Sequence, residues 1–179
     1  HKTLIEQRLA PSVQGLHLAL YEDSQLADFL HPREILAGGL DAYDVLVAAM
    51  PMYHSAELVE AVRAWVARGG TLIAESHFGA VSPRDGRWQM TIPGFGAHTW
   101  FGCRQDLVRA RRDWSEERAE LALAAPLGEL PAGFPLRGMI CEETLVPEGA
   151  EVLARFAAAN EPAVTRHVHG KGRVVYIGT

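Results

Sequence analysis

The sequence predicts an open-sheet α/β domain with a β-rich second half, and three observations carry that expectation. An apolar run, Tyr43 to Ala49, reads as a strand buried on both faces. A capped amphipathic helix follows it, and then a second apolar strand. Beyond about Cys103 the pattern changes to short alternating segments separated by turn residues.

Leu4 to Tyr21 is expected to form the first helix, because Leu4, Ile5, Leu9, Val13, Leu16 and Leu20 recur at three- and four-residue steps. Pro11 and Gly15 oppose it. Leu26 to His31 reads as a short strand stopped by Pro32, and Pro32 to Leu36 as one helical turn closed by Gly38-Gly39. The helix Ala56 to Arg68 has Ser55 as its N-cap. Its buried stripe is Leu58, Val59, Val62, Trp65 and Val66. Glu57 and Glu60 near its start and Arg68 at its end match the helix dipole, and Gly69-Gly70 closes it. With Thr71 to Ala74 this makes a right-handed βαβ unit with parallel strands. Together with the preceding elements it predicts a doubly wound layer.

Glu75 to Phe101 has no period and holds glycines, prolines and several aromatics. Long loops of this kind are usually functional or interface-forming. Strands are expected at Gln105 to Arg111, Ala119 to Leu123, Leu136 to Val146, Glu151 to Phe156, Ala163 to Val168 and Arg173 to Ile177. The last two are joined by the hairpin turn His169-Gly170-Lys171-Gly172. The whole chain, 1–179, reads as a single domain.

Composition narrows the function classes. Of 179 residues, 48% are hydrophobic and 22% charged, which is ordinary for a globular domain. The net charge of −5, from 22 acidic and 17 basic residues, gives no reason to expect nucleic acid or an anionic membrane as partner. The basic residues between Arg104 and Arg118 are interrupted by Asp106, Asp113, Glu116 and Glu117, as on a solvated surface. No apolar run approaches the roughly 18 residues that span a bilayer. Cys103 and Cys141 form no CxxC pair and fit a reducing, cytoplasmic setting.

Ligands of open α/β sheets bind at the carboxyl ends of the strands. Two such ends are visible, Met50 to His54 and Glu75 to Phe78. The second lacks the G-x-S-x-G spacing of a nucleophile elbow, so Ser76 next to His77 reads as a strand-end surface. Cys103 and Cys141 read as small buried hydrophobes. Glu142 and Glu143 are neighbours on a strand and point to opposite faces. They cannot flank one glycosidic bond and read as solvated or singly paired carboxylates. His167 and His169 share a strand face, but no third metal ligand lies nearby in sequence. No catalytic residue, metal site or cofactor is expected. The interface or binding candidates are Met52, Tyr53, His54, Glu75, His77, Trp88, Phe95 and Trp100, since exposed aromatics mark interfaces.

Several stretches in succession resemble the trimerisation domain of the family 42 β-galactosidases. They are Asp41 to Tyr53, Ser55 to Val66, Gly69 to Glu75, Ile92 to Gly96, Trp100 to Arg104, and Pro162 to Arg166 running into Gly170 to Thr179. The resemblance implies a flavodoxin-like, class I glutamine amidotransferase-like three-layer sandwich, with a mostly parallel sheet and no amidotransferase nucleophile. It implies that the catalytic acid and nucleophile lie on a separate (β/α)8 barrel, so that no catalytic residue carries over. It implies excision from a longer multidomain glycoside hydrolase, with that barrel and further copies, as a trimer, for partners. The family's domain begins with a strand before the first helix, and this sequence has no obvious one. The alternatives are a free-standing amidotransferase-like enzyme or small-ligand binder at the two strand ends, and a carbohydrate-binding module that stacks sugars on Trp88 or Trp100.

Overall fold

A computed structural model of the chain describes residues 10–110, 119–138 and 141–179. Helix α1 is Ala10–Glu22 and α2 is Pro32–Leu36, followed by a 3-10 turn at Gly39–Ala42. The βαβ unit comes next, as β1 Val45–Ala48, α3 Ala56–Arg68 and β2 Thr71–Glu75. A short helix α4, His98–Phe101, ends the long loop. The strands after it are β3 Cys103–Ala110, β4 Ala119–Leu123, β5 Pro135–Gly138, β6 Cys141–Pro147, β7 Glu151–Phe156, β8 Pro162–His169 and β9 Gly172–Ile177.

Seven strands form one sheet in the order β1-β2-β9-β8-β7-β4-β5, and β3 pairs with β6 in a second, two-stranded sheet. The seven-stranded sheet is mixed, where a mostly parallel one was expected. β1, β2 and β9 run parallel, with Ala48, Ala74 and Tyr176 in register. The pairs β9–β8, β8–β7, β7–β4 and β4–β5 are antiparallel. The reason is connection length: α3 supplies a crossover between β1 and β2, whereas a two-residue turn joins β8 to β9 and can only reverse the chain.

The βαβ unit forms for the reasons its residues give. Ser55 Oγ accepts the Leu58 N–H, and Gly69 lies in the positive-φ region that ends α3. Its five predicted stripe residues are buried. Val59, Val62, Trp65 and Val66 pack on Leu72, Ala74, Val174 and Tyr176, which alternate along β2 and β9 with half-exposed neighbours. The β3–β6 pair covers the same face further across, since Cys103 Sγ lies 3.4 Å from Thr165 Oγ1 of β8. Trp100, Phe101, Cys103 and Leu145 thereby join the main core.

Three other expectations change. Leu26 to His31 forms no strand: it lies beside no ladder, and Leu26 and Phe29 are exposed. Its apolar residues alone do not make a strand, which needs a neighbour to accept its hydrogen bonds. The expected strand Leu136 to Val146 is two strands, β5 and β6, in different sheets. The first helix is seen from Ala10; its expected start at Leu4, and the charged stretch Arg111 to Arg118, lie outside the described residues.

Candidate functional site

The carboxyl ends of β1 and β2 converge as the sequence predicts. Glu75, the last residue of β2, accepts the Met50 N–H at 2.8 Å and the Ser12 hydroxyl at 2.6 Å, tying α1 to both strand ends. The long loop continues the sheet by single bridges, with Val81 beside Tyr53 on one side and Trp88 on the other. Val81 N–H donates to Met52 O, and Gly79 N–H to Pro51 O. Met52 packs on the small cluster Ala80, Val81 and Ile92.

The candidate residues divide into surface and core. Tyr53 is 60% and Trp88 56% exposed, and Met90 beside them is fully exposed. His54 is half-buried, edge-on to the buried Phe78, and burial lowers its pKa. Phe95 packs against the main core. Trp100 is buried between Phe78 and Phe101, so it cannot serve as an exposed stacking platform with Trp88.

His77 is held at φ +64°, and its backbone N–H is shared between Glu143 Oε2 at 2.9 Å and the Tyr176 hydroxyl at 3.0 Å. Its Nδ1 lies 3.2 Å from the same carboxylate oxygen. The Tyr176 hydroxyl donates to Glu143 Oε1. Glu143 is fully buried, which corrects its reading as solvated or singly paired. Its neighbour Glu142 points to the other strand face, 3.9 Å from Arg109. Burial pushes the Glu143 carboxyl up to about 7, against the Tyr176 hydroxyl and the His77 amide, which favour its charged form. Gln105 also faces it, yet the buried Gln105 Nε2 completes no well-formed hydrogen bond. Tyr176 is raised well above its ordinary value by burial and by Glu143.

Sequence reasoning missed this cluster. Its one local signal is that the residues two before and two after Glu143 on the strand, Cys141 and Leu145, are apolar. The partners that explain it are 33 and 66 residues away.

The contact recorded for Ser76 Oγ is Cys141 Sγ at 3.6 Å, while His77 Nδ1 faces Glu143. Burial pushes the Cys103 thiol up to about 11, away from the reactive thiolate. His167 Nδ1 sits 3.1 Å from Trp100 O, and His169 lies beside Arg63. No group of three metal-ligating side chains occurs among the described residues. Among the described residues, no helix is long and apolar enough to cross a membrane.

The comparisons with known proteins cover nearly the whole chain. The β-galactosidase trimerisation domain family matches residues 6–179. The β-galactosidase LacZ of Heyndrickxia coagulans is 30% identical over 156 residues, which cover 85% of this chain and 21% of that protein. The β-galactosidase BgaB of Geobacillus sp. strain Y412MC61 is 28% identical, over 96% of this chain and 24% of the relative. The chain thus spans less than a quarter of the length of these relatives. Among solved structures, the cold-adapted β-galactosidase of Rahnella sp. R3 superposes with a TM-score of 0.67 at 26% identity, over 78% of this chain and 20% of that one. That of Bacillus circulans sp. alkalophilus gives 0.69 at 24% identity, with the same coverage. The family model, matched over residues 6–179, places the chain in the β-galactosidase trimerisation domain family.

Proposed function

We propose that this domain joins copies of a longer β-galactosidase into a trimer, with the catalytic acid and nucleophile on a separate (β/α)8 barrel of the same polypeptide. The match over residues 6–179 carries this reading. The interface centres on the carboxyl ends of β1 and β2, at Tyr53, Trp88 and Met90, with Met52, His54, Glu75 and His77 beneath. Large exposed aromatics clustered in this way are the usual anchors of a protein interface. Phe95 and Trp100 act from below, by fixing the loop that presents Trp88. The amidotransferase-like relationship rests on the parallel β1-β2-β9 core with α3 packed on it. The two buried cysteines, which form no disulfide, favour a cytoplasmic setting.

Light scattering over a concentration series tests the assembly. A trimer that weakens when Tyr53→Ala and Trp88→Ala are combined is the expected result. A monomer at every concentration, or a trimer indifferent to both substitutions, overturns the proposed interface.

A further inference from the structure

We propose that the contact between His77 and the buried Glu143 is a proton-controlled latch that decides whether the loop of residues 79–92, with Trp88, stays docked on the strand ends. Three elements meet at this point. Glu143 lies on β6 and Tyr176 on β9, both inside hydrogen-bonded ladders. Glu143 N–H also donates to Gly178 O at 2.7 Å, which fixes the backbone of the carboxylate. His77 is the one partner on a loop. It meets the carboxylate through both its N–H and its Nδ1, and its side chain is 13% exposed where that of Glu143 is fully buried. Trp88 packs edge-on against that imidazole, with 5.9 Å between ring centroids.

The loop beyond His77 is docked by few bonds. Gly79 N–H donates to Pro51 O, Val81 N–H to Met52 O, and Gln105 N–H of β3 to Ile92 O, while Gln89 N–H donates to Ala80 O within the loop. The only buried cluster it brings is Ala80, Val81 and Ile92. Such a segment belongs to the low-stability end of a fold.

The titratable groups facing Glu143 are Tyr176 from β9, His77 from the loop and Cys103 from β3. Tyr176 and Cys103 are both pushed upward and stay neutral near pH 7. With the loop closed, the carboxyl is dry and favours its proton. Swinging the His77 ring outward hydrates it and returns it to ordinary acidity. Closing therefore takes up a proton, and rising pH favours opening.

Amide hydrogen exchange of the 179-residue chain tests this, with each pH compared between the wild type and Glu143→Gln so that intrinsic exchange rates cancel. If opening fully hydrates the carboxyl, relative protection of residues 79–92 falls by about 70-fold from pH 5 to pH 8. Peptides of β7 and β8 should show no such change. A wild-type to variant ratio that stays constant with pH overturns the latch, as does an equal loss throughout the sheet. Should Glu143→Gln fail to fold, Tyr176→Phe serves in its place. Removing a donor to the carboxylate must move the midpoint of loop opening to higher pH, and an unmoved midpoint overturns the proposal.

Discussion

Replacing Glu143 by Gln should remove most of one pH-dependent component of folding stability. The carboxyl is fully buried, and its pKa rises from 4.5 to about 7 on folding. The native state therefore binds the proton more tightly than the unfolded chain. The stabilisation from that proton is complete below pH 4.5, declines as pH rises, and is gone above about 7. A rise of this size amounts to about 3 kcal/mol between the two limits. Buried histidines act in the opposite sense. His54 and His169 are lowered, so they add stability as pH rises toward their ordinary value. The difference between wild type and Glu143→Gln cancels these terms, and the cost of packing an amide against the same donors is a constant offset. Urea denaturation at half-unit steps from pH 4.5 to 8 measures that difference. It should shrink by about 3 kcal/mol in favour of the variant as pH rises. A difference that stays level, or one that grows toward high pH, refutes the reasoning.

Other outcomes follow from packing. Trp65→Ala empties the centre of the α3–sheet contact, where the indole Nε1 donates to Tyr43 O, and should cost about 3–5 kcal/mol in urea denaturation. In Gly178→Ala the new Cβ would lie 2.1 Å from Glu143 O. The strands must part to admit it, at a cost of about 1–3 kcal/mol read as a lowered Tm. Cys103, with its thiol raised to about 11, should resist a thiol reagent at pH 8 in the native protein and react at once in denaturant. Rapid native labelling of Cys103 would contradict the burial.

Local chemistry was legible in the sequence and distant pairing was not. Ser55, the stripe Leu58 to Val66, and Gly69 define α3 within one stretch of chain, so the prediction and the structure agree there. Gly170 to Gly172 likewise announced the β8–β9 hairpin. Leu26 to His31 is a short apolar stretch before Pro32, but whether it joins a ladder depends on a partner that local pattern does not supply. The mixed sheet follows from where β9 inserts, between β2 and β8, and no window of sequence contains that choice. Of the candidate residues, Tyr53 and Trp88 lie exposed at the surface. Trp100 has the same local signature and lies in the core. Glu143 went unrecognised as a buried group because its environment comes from the loop after β2, from β3 and from β9.

The place of β9 in the sheet also bears on how the molecule is made. The parallel core is complete only when β9 enters beside β2, and the contact between His77 and Tyr176 spans 99 residues. Until β9 leaves the ribosome, β2 and β8 each present an open edge, and Leu72 and Ala74 have no Val174 or Tyr176 beside them. Such long-range closure slows folding and leaves strand edges free to pair with other chains. Folding of this domain should therefore be late, cooperative and dependent on its final hairpin. A nascent chain stalled before Gly172 would expose the surface that the finished molecule buries most completely.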